Sequence, residues 1–174
     1  MNLLLKINDL IDIDYQYDLA IKKSIEFFIG KIIDIEKIKE FRQKTCPISS
    51  VHCVDLFLKE NNIYLREQAL KKKLSEYLFG KEMDGLISLC SLKIPKKLID
   101  KLSDKYHITL FSTLTLEQTA FILDKFKLKM DMIIKDDLIL EPDEKENFTL
   151  ITSNKKDKEI TNKIINIDEF IASA

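Results

Sequence analysis

Glycine is scarce in this chain of 174 residues, which contains only three glycines, and tryptophan is absent. The three are Gly30, Gly80 and Gly85, so the first 29 residues and the whole C-terminal half contain none. A P-loop or a dinucleotide-binding fingerprint needs glycines in a strand-to-helix turn, where the backbone approaches phosphate closely or takes a positive φ. The sequence therefore excludes both kinds of nucleotide site.

Arginine is also scarce, since Arg42 and Arg66 are the only two and lysine supplies the remaining positive charge. The 28 basic and 29 acidic residues give a formal net charge of −1, so no overall field favours nucleic acid or an anionic membrane. Lysine also lacks the rigid fork with which arginine clamps phosphate or reads guanine. We therefore expect no nucleic-acid partner and no membrane partner. The lysine runs 71–73 and 155–156 are interpreted as solvated helix faces.

The three cysteines are an odd number, and the opening segment MNLLLKIND has neither a basic leader nor an apolar run of membrane-spanning length. We expect a cytoplasmic location, where thiols stay reduced. Cys46, His52 and Cys53 are soft-ligand residue types close together, but their spacing matches no common zinc site. We interpret them, like Cys90 and His107, as packed residues rather than ligands or nucleophiles.

Hydrophobic periodicity predicts a helical block inside an α/β framework. Apolar residues recur every three or four positions through residues 15–90, which indicates successive helices, with Asp34 and either Ser49 or Ser50 as N-caps. On either side, the pattern predicts strands over 3–7, 107–111, 130–134, 148–152 and 163–167, with helices from about Leu98 and from the capping-box sequence at Thr115. The predicted fold is α/β: residues 1–14 and 91–174 form a parallel Rossmann-like sheet covered by helices, and residues 15–90 form an inserted helical domain.

This layout resembles the haloacid dehalogenase-like phosphohydrolases that carry an α-helical cap after the first strand, the phosphoglycolate phosphatase-like branch. Residues 10–21 resemble the segment that leads into that family's cap. Residues 95–113 resemble its second motif with the preceding helix, and residues 116–137 resemble the helix and strand that follow. The order and spacing of these segments extend the resemblance over nearly the whole chain, and imply a core of residues 1–14 and 91–174 with a cap of residues 15–90.

The resemblance implies a phosphotransfer site that is degenerate in this chain. The family uses two carboxylates two residues apart after the first strand, which attack phosphorus, bind Mg²⁺ and protonate the leaving group. It also uses a hydroxyl after the second strand, a lysine after the third and acidic residues after the fourth. The corresponding positions here are Lys6 and Asn8 for the carboxylates, Ser112 followed by Thr113, Glu141 for the lysine, and Ser153 with Asp157 for the acidic residues.

The changes at Lys6 and Glu141 are interpreted as one exchange. In the family the lysine of the third motif lies near the nucleophilic carboxylate, so a lysine at position 6 and a glutamate at position 141 would keep an ion pair with its charges interchanged. We expect a structural salt bridge between these two side chains. Glycines common beside the family's phosphate site are replaced here by Asp9, Thr113 and Thr152.

A second register uses Asp12 as the nucleophile and Asp14 as the acid, because this pair has the required separation. It requires residues 9–14 to form the strand, and it puts Tyr15 where a glycine normally permits the turn. We favour the first register, in which Asp12 and Asp14 are solvent-facing residues before a helix. If the second register holds, the catalytic residues are Asp12, Asp14 and Ser112.

The expected function is therefore non-catalytic: a haloacid dehalogenase-like protein without phosphatase activity that acts in ligand binding, regulation or partner binding. No cofactor is expected, and the partner is a small phosphorylated molecule or a protein. One alternative is an active Mg²⁺-dependent phosphatase of a small phosphorylated metabolite that uses Asp12 and Asp14. The other is a helical protein-interaction module on the same scaffold.

Overall fold

The computed structural model describes residues 2–134, 148–152 and 164–166, and the chain divides into two compact units. The α/β unit contains the described residues of Met1–Asp12 and Ser91–Ala174, and the helical unit is Ile13–Cys90. In the part of the chain that is described, no helix combines the length and apolar character needed to cross a bilayer.

The longer helices and the strands of the main sheet follow one another in the order that the apolar patterns predict. In chain order they are β1 (Asn2–Lys6), α1 (Ile7–Leu10), β2 (Ile11–Asp12), α2 (Asp14–Ile29), α3 (Ile35–Thr45), α4 (Ser50–Glu60), α5 (Glu67–Leu78), a 3₁₀ turn (Leu86–Leu89), β3 (Ser91–Leu92), α6 (Lys96–Lys105), β4 (His107–Ser112), α7 (Leu116–Phe126), β5 (Asp131–Ile134), β6 (Phe148–Thr152) and β7 (Ile164–Asn166).

The α/β unit is built on a parallel sheet with the order β5-β4-β1-β6-β7. Strand β1 lies at its centre, where Leu4 pairs with Thr109 on one side and with Leu150 on the other. The apolar run Leu3–Leu5 is buried along its whole length, as a strand covered on both faces requires. The predicted α/β fold with a parallel sheet is confirmed.

After β1 the chain makes a single helical turn, α1, before the two-residue strand β2. Strand β2 pairs antiparallel with β3, so that Ile11 faces Leu92 and Asp12 faces Ser91. Neither short strand belongs to the five-stranded sheet. The turn of α1 was not expected from the sequence, because four residues are too few to show a helical period.

The helical unit packs α2 against α3, α4 and α5 around one apolar core. Two of its helix starts follow the predicted caps: the Asp34 carboxylate accepts a hydrogen bond from the Glu36 amide at 3.1 Å, and the Ser49 hydroxyl accepts one from the His52 amide at 3.1 Å. Helix α2 ends at Gly30, whose φ of 71° is in the left-handed region. The buried residues of this core are Ala20, Ile21, Ile25, Ile38, Phe41, Cys53, Val54, Phe57, Leu58, Leu70, Leu74 and Leu78.

Two of the three glycines face each other in the loop between α5 and the 3₁₀ turn. The Gly85 amide donates a hydrogen bond to the carbonyl of Phe79 at 3.0 Å, and a Cβ on Gly85 would lie 2.6 Å from the Gly80 nitrogen. Gly80 itself has a φ of +73°. Backbone therefore touches backbone in this loop, and a side chain at position 85 has no space.

We expect Gly85→Ala to destabilise the protein by about 3 kcal/mol, because the new methyl group collides with backbone atoms that cannot move aside. The matched control is Gly30→Ala, since a Cβ at Gly30 would have no atom within 4 Å and adds only the strain of a positive φ. That strain costs about 1 kcal/mol. Urea unfolding of the two variants measures both losses, and equal losses would contradict this account of the loop.

Candidate functional site

The carboxyl end of β1 is the place where a sheet of this topology is expected to bind a ligand. The chain leaves β1 towards β4 and β5 on one side and returns to β6 and β7 on the other. In an open parallel sheet, ligands bind at the carboxyl ends of the strands where the direction of winding reverses. The described residues at this end are Lys6, Asn8, Asp9, Ser112 and Thr113, which we call the β1-end site.

Lys6 is the last residue of β1, and its ammonium lies 3.8 Å from a carboxylate oxygen, Oδ2 of Asp9. The turn of α1 brings Asp9 back towards Lys6, because residues three apart in a helical turn are neighbours. Both side chains are largely shielded from water, with 20% of Lys6 and 7% of Asp9 exposed. An ion pair therefore lies where the resemblance implies a pair of carboxylates.

Asn8 is exposed, and a second lysine lies beside it. The Lys93 ammonium donates a hydrogen bond to the backbone carbonyl of Asn8 at 2.9 Å, while the Lys93 amide bonds to the carbonyl of Leu10. The carboxyl end of β1 thus carries two ammonium groups, those of Lys6 and Lys93. Such groups attract an anion and cannot coordinate a metal ion.

Ser112 ends β4 next to the residue that pairs with Lys6, so it occupies the strand end expected for the second motif. Its side chain is fully buried. The Ser112 hydroxyl oxygen accepts hydrogen bonds from the Leu114 amide at 3.1 Å and from the Thr119 hydroxyl at 2.8 Å. The oxygen is therefore engaged in holding the start of α7, whereas the next residue, Thr113, is exposed.

Asp12 and Asp14 do not lie at the end of the central strand. Asp12 is an exposed residue of β2 that faces Ser91, and Asp14 is an exposed residue at the start of α2. The two belong to different compact units. The strand over residues 9–14 that the second register requires is not formed, because Ile7–Leu10 is helical and only Ile11–Asp12 is extended.

Glu141, Ser153 and Asp157 lie outside the described residues, so the ion pair between Lys6 and Glu141 stays a prediction. From the sequence, Asp9 is interpreted only as a replacement for glycine, and its contact with Lys6 is not predicted. The signal that could have found this contact is the separation of three residues, which places the two charges together once the segment makes a helical turn.

Magnesium requires several oxygen ligands in near-octahedral geometry, mostly carboxylates and water. At the β1-end site the described carboxylate is that of Asp9, and an ammonium already lies against it. Among the residues that the structure describes, no group of three or more histidine, cysteine, aspartate or glutamate side chains could hold a metal ion. The described residues of this site do not fit magnesium, and we derive no chemistry through it.

The structure does not support a zinc site at Cys46, His52 and Cys53 either. Burial raises the pKa of Cys53 to about 11, with Arg42 lowering it and Asp18 raising it to smaller extents. The ligand of zinc is the thiolate, which this environment disfavours. His52 uses Nδ1 to accept a hydrogen bond from the Ile48 amide at 3.2 Å. Cys46 is exposed and Cys53 is buried.

The whole chain is similar in structure to known phosphohydrolases. The phosphatase Tt82 from Thermococcus thioreducens is 12% identical with a TM-score of 0.75, over 99% of this chain and 98% of that one. A protein described as a predicted phosphatase from Clostridium acetobutylicum is 16% identical with a TM-score of 0.59, over 99% and 97% of the two chains. A HAD hydrolase, family IA, variant 3, from Entamoeba histolytica is 14% identical with a TM-score of 0.52, over 99% and 98%.

The fold is that of the haloacid dehalogenase-like phosphohydrolases. The resemblance inferred from the sequence is therefore confirmed at the level of the fold. No protein-family model matches the chain, and no curated protein matches it in sequence. At identities of 12–16% the shared feature is the haloacid dehalogenase-like architecture, and the chemistry must be argued from the β1-end site itself.

We expect Ser112→Ala to lower the free energy of unfolding by about 2 kcal/mol, because it leaves the buried Leu114 amide without its acceptor, whereas the Thr119 hydroxyl keeps the Thr115 carbonyl at 2.9 Å. The matched control is Thr113→Ala at the neighbouring exposed position, where the change should stay within about 0.5 kcal/mol. Urea unfolding measures both variants. If Ser112→Ala is as stable as the unaltered protein, the hydroxyl does not have the structural role assigned to it.

Proposed function

We propose that this haloacid dehalogenase-like protein has lost phosphatase activity and acts by binding a ligand or a partner. The observation that carries the proposal is the Lys6 ammonium at the end of β1, paired with Asp9 at 3.8 Å. This is the position from which a nucleophilic carboxylate acts in the family that the chain resembles. An ammonium has no lone pair with which to attack phosphorus.

The neighbouring groups support the same proposal. Phosphoryl transfer in this family needs a hydroxyl to hold a phosphoryl oxygen, and the hydroxyl of Ser112 is buried and bonded to Leu114 and Thr119. Asn8 stands in place of the second carboxylate, and an amide is neither an acid nor a base near neutral pH. Three of the positions that would share the reaction are thus occupied by groups with other roles.

The side chains of the β1-end site are still suited to binding a small anion. The ammonium groups of Lys6 and Lys93 lie at the carboxyl end of β1, and the exposed side chains of Asn8 and Thr113 offer hydrogen bonds. A ligand with a phosphate or carboxylate group matches these side chains. We propose a small phosphorylated molecule as the ligand, bound without magnesium and released unchanged.

The test is a hydrolysis assay with p-nitrophenyl phosphate and Mg²⁺ on the full chain and on two variants, Asp12→Asn and Asp14→Asn. We expect no phosphate release above the blank in any of the three, because the described carboxylate of the site, that of Asp9, is paired with the Lys6 ammonium. Circular dichroism checks that each protein is folded. Release that is equal in all three proteins indicates a contaminating phosphatase, whereas Mg²⁺-dependent release that Asp12→Asn abolishes would overturn the proposal.

A further inference from the structure

A histidine side chain holds the connection between α3 and α4 in the helical unit. Ser49 is the N-cap of α4, and its hydroxyl accepts a hydrogen bond from the His52 amide at 3.1 Å. In return, Nδ1 of the His52 ring accepts a hydrogen bond from the Ile48 amide at 3.2 Å. The pair of bonds resembles a capping box, with the second bond made to the residue before the N-cap. A capping box normally uses glutamate or glutamine as this second acceptor, whereas here the acceptor is an imidazole.

The backbone of this connection is suited to being released. Cys46, which follows α3, has a φ of 44°, a conformation that residues with a side chain rarely adopt. Pro47 has no N–H to donate. The side chain of Ile48 is 90% exposed, so apolar burial does not fix it in place. The hydrogen bond from the Ile48 amide to His52 is therefore important for holding residues 47 and 48 against the start of α4.

The hydrogen bond from Ile48 requires a neutral His52 ring. Nδ1 can accept a proton donor only when the ring proton is on Nε2. A protonated imidazole carries an N–H at both nitrogens, so its Nδ1–H and the Ile48 N–H would point at each other. A positive charge in the first turn of α4 is also disfavoured by the partial positive charge of the helix N-terminus. One added proton therefore removes this bond.

The groups around the His52 ring offer a protonated imidazole other partners. A cavity of about 380 Å³ beside the ring is lined by Asp55 and Lys59 of α4 and by Glu67, the first residue of α5. Asp55 already accepts a hydrogen bond from the Lys59 ammonium at 2.6 Å, and Glu67 is paired with Lys71 at 2.7 Å. A carboxylate has about four lone-pair sites, so each can accept a further N–H from a ring that turns into the cavity.

We propose that His52 is a pH-dependent switch for the α3–α4 connection. At neutral pH the uncharged ring holds the Ile48 amide. In mildly acidic solution, where imidazoles take up a proton, the charged ring releases that amide and donates to the carboxylates of the cavity. Residues 46–48 then become mobile, while α3 and α4 stay packed through the Phe41 and Phe57 rings, whose centres are 5.0 Å apart. The switch lies within the helical unit and does not depend on the β1-end site.

NMR spectroscopy of the full chain tests the switch. At about pH 7.5, long-range proton–nitrogen spectra should show the His52 ring with its proton on Nε2 and a bare Nδ1. As the pH is lowered to about 5, the Ile48 amide proton should move upfield with the same midpoint as the His52 ring. Its protection against solvent exchange, corrected for the intrinsic dependence of exchange on pH, should fall about fivefold, as expected for the loss of one hydrogen bond.

The chain has two histidines, so His107→Gln is the matched control. This variant removes the imidazole that pairs with Asp131 in the α/β unit, and it should leave the titration of the Ile48 amide unchanged. His52→Gln keeps a neutral acceptor at position 52 and should abolish the pH dependence of that amide. Circular dichroism checks that each variant is folded, and the titration of the unaltered protein decides the question without either variant.

Three results would overturn the proposal. The first is an Ile48 amide of the unaltered protein that does not follow the titration of the His52 ring. The second is a ring with its proton on Nδ1 at neutral pH, and the third is a pH dependence of the Ile48 amide that persists in His52→Gln. None of these measurements involves p-nitrophenyl phosphate or magnesium, so this proposal and the proposed function are tested separately.

Discussion

Burial of the central strand β1 is the constraint on which the α/β unit depends. Leu3, Leu4 and Leu5 are each at most 3% exposed, and the strand is paired on both edges, with β4 on one side and β6 on the other. Its backbone N–H and C=O groups therefore form hydrogen bonds with β4 and β6, and its side chains pack on both faces of the sheet. Lys6, at the carboxyl end of the strand, is the first of its residues with a charged side chain. A charge at that place is shielded from water and needs a partner, which the turn of α1 supplies in Asp9.

This arrangement explains how the haloacid dehalogenase-like fold is stabilised independently of the polar residues at its strand ends. The sheet is stabilised by the burial of apolar side chains on β1, β4 and β6. Leu4, Phe111 and Leu150, one from each of these strands, form one buried cluster. None of these residues carries a polar side chain. The polar residues at the strand ends are then free to take structural roles, as Ser112 does when its hydroxyl accepts hydrogen bonds from Leu114 and Thr119. The scarcity of glycine fits the same account, because Gly80 and Gly85 shape a loop of the helical unit rather than a phosphate-binding turn.

Much of the fold follows from local signals in the sequence. Asp34, Ser49 and the capping box of Thr115 with Gln118 begin helices where the sequence predicts them, because a cap acts within one turn of the chain. The strands around Leu3–Leu5 and Phe148–Thr152 follow from apolar runs of strand length. The ends of β1 and β4 could be placed because parallel strands align their carboxyl ends.

The contacts that decide function were harder to predict. The pair of Lys6 with Asp9 depends on a helical turn of four residues, which carries no readable period. The burial of Ser112 depends on Thr119 in the next helix. The lysine run 71–73 is interpreted from the sequence as a solvated face, whereas the Lys73 ammonium lies over the Phe27 ring, a contact that depends on the packing of α2 against α5.

We propose that the ammonium of Lys6 replaces a metal-binding carboxylate, and thermal unfolding with and without Mg²⁺ is the sharpest test of this proposal. The unaltered protein should have the same Tm in millimolar MgCl₂ as in NaCl of matched ionic strength. In the double variant Lys6→Asp with Asn8→Asp, the new carboxylates repel Asp9, so its Tm should fall and Mg²⁺ should restore part of the loss through binding to the folded state. A Tm of the unaltered protein that rises with Mg²⁺, and with no matched rise in NaCl, would contradict the account.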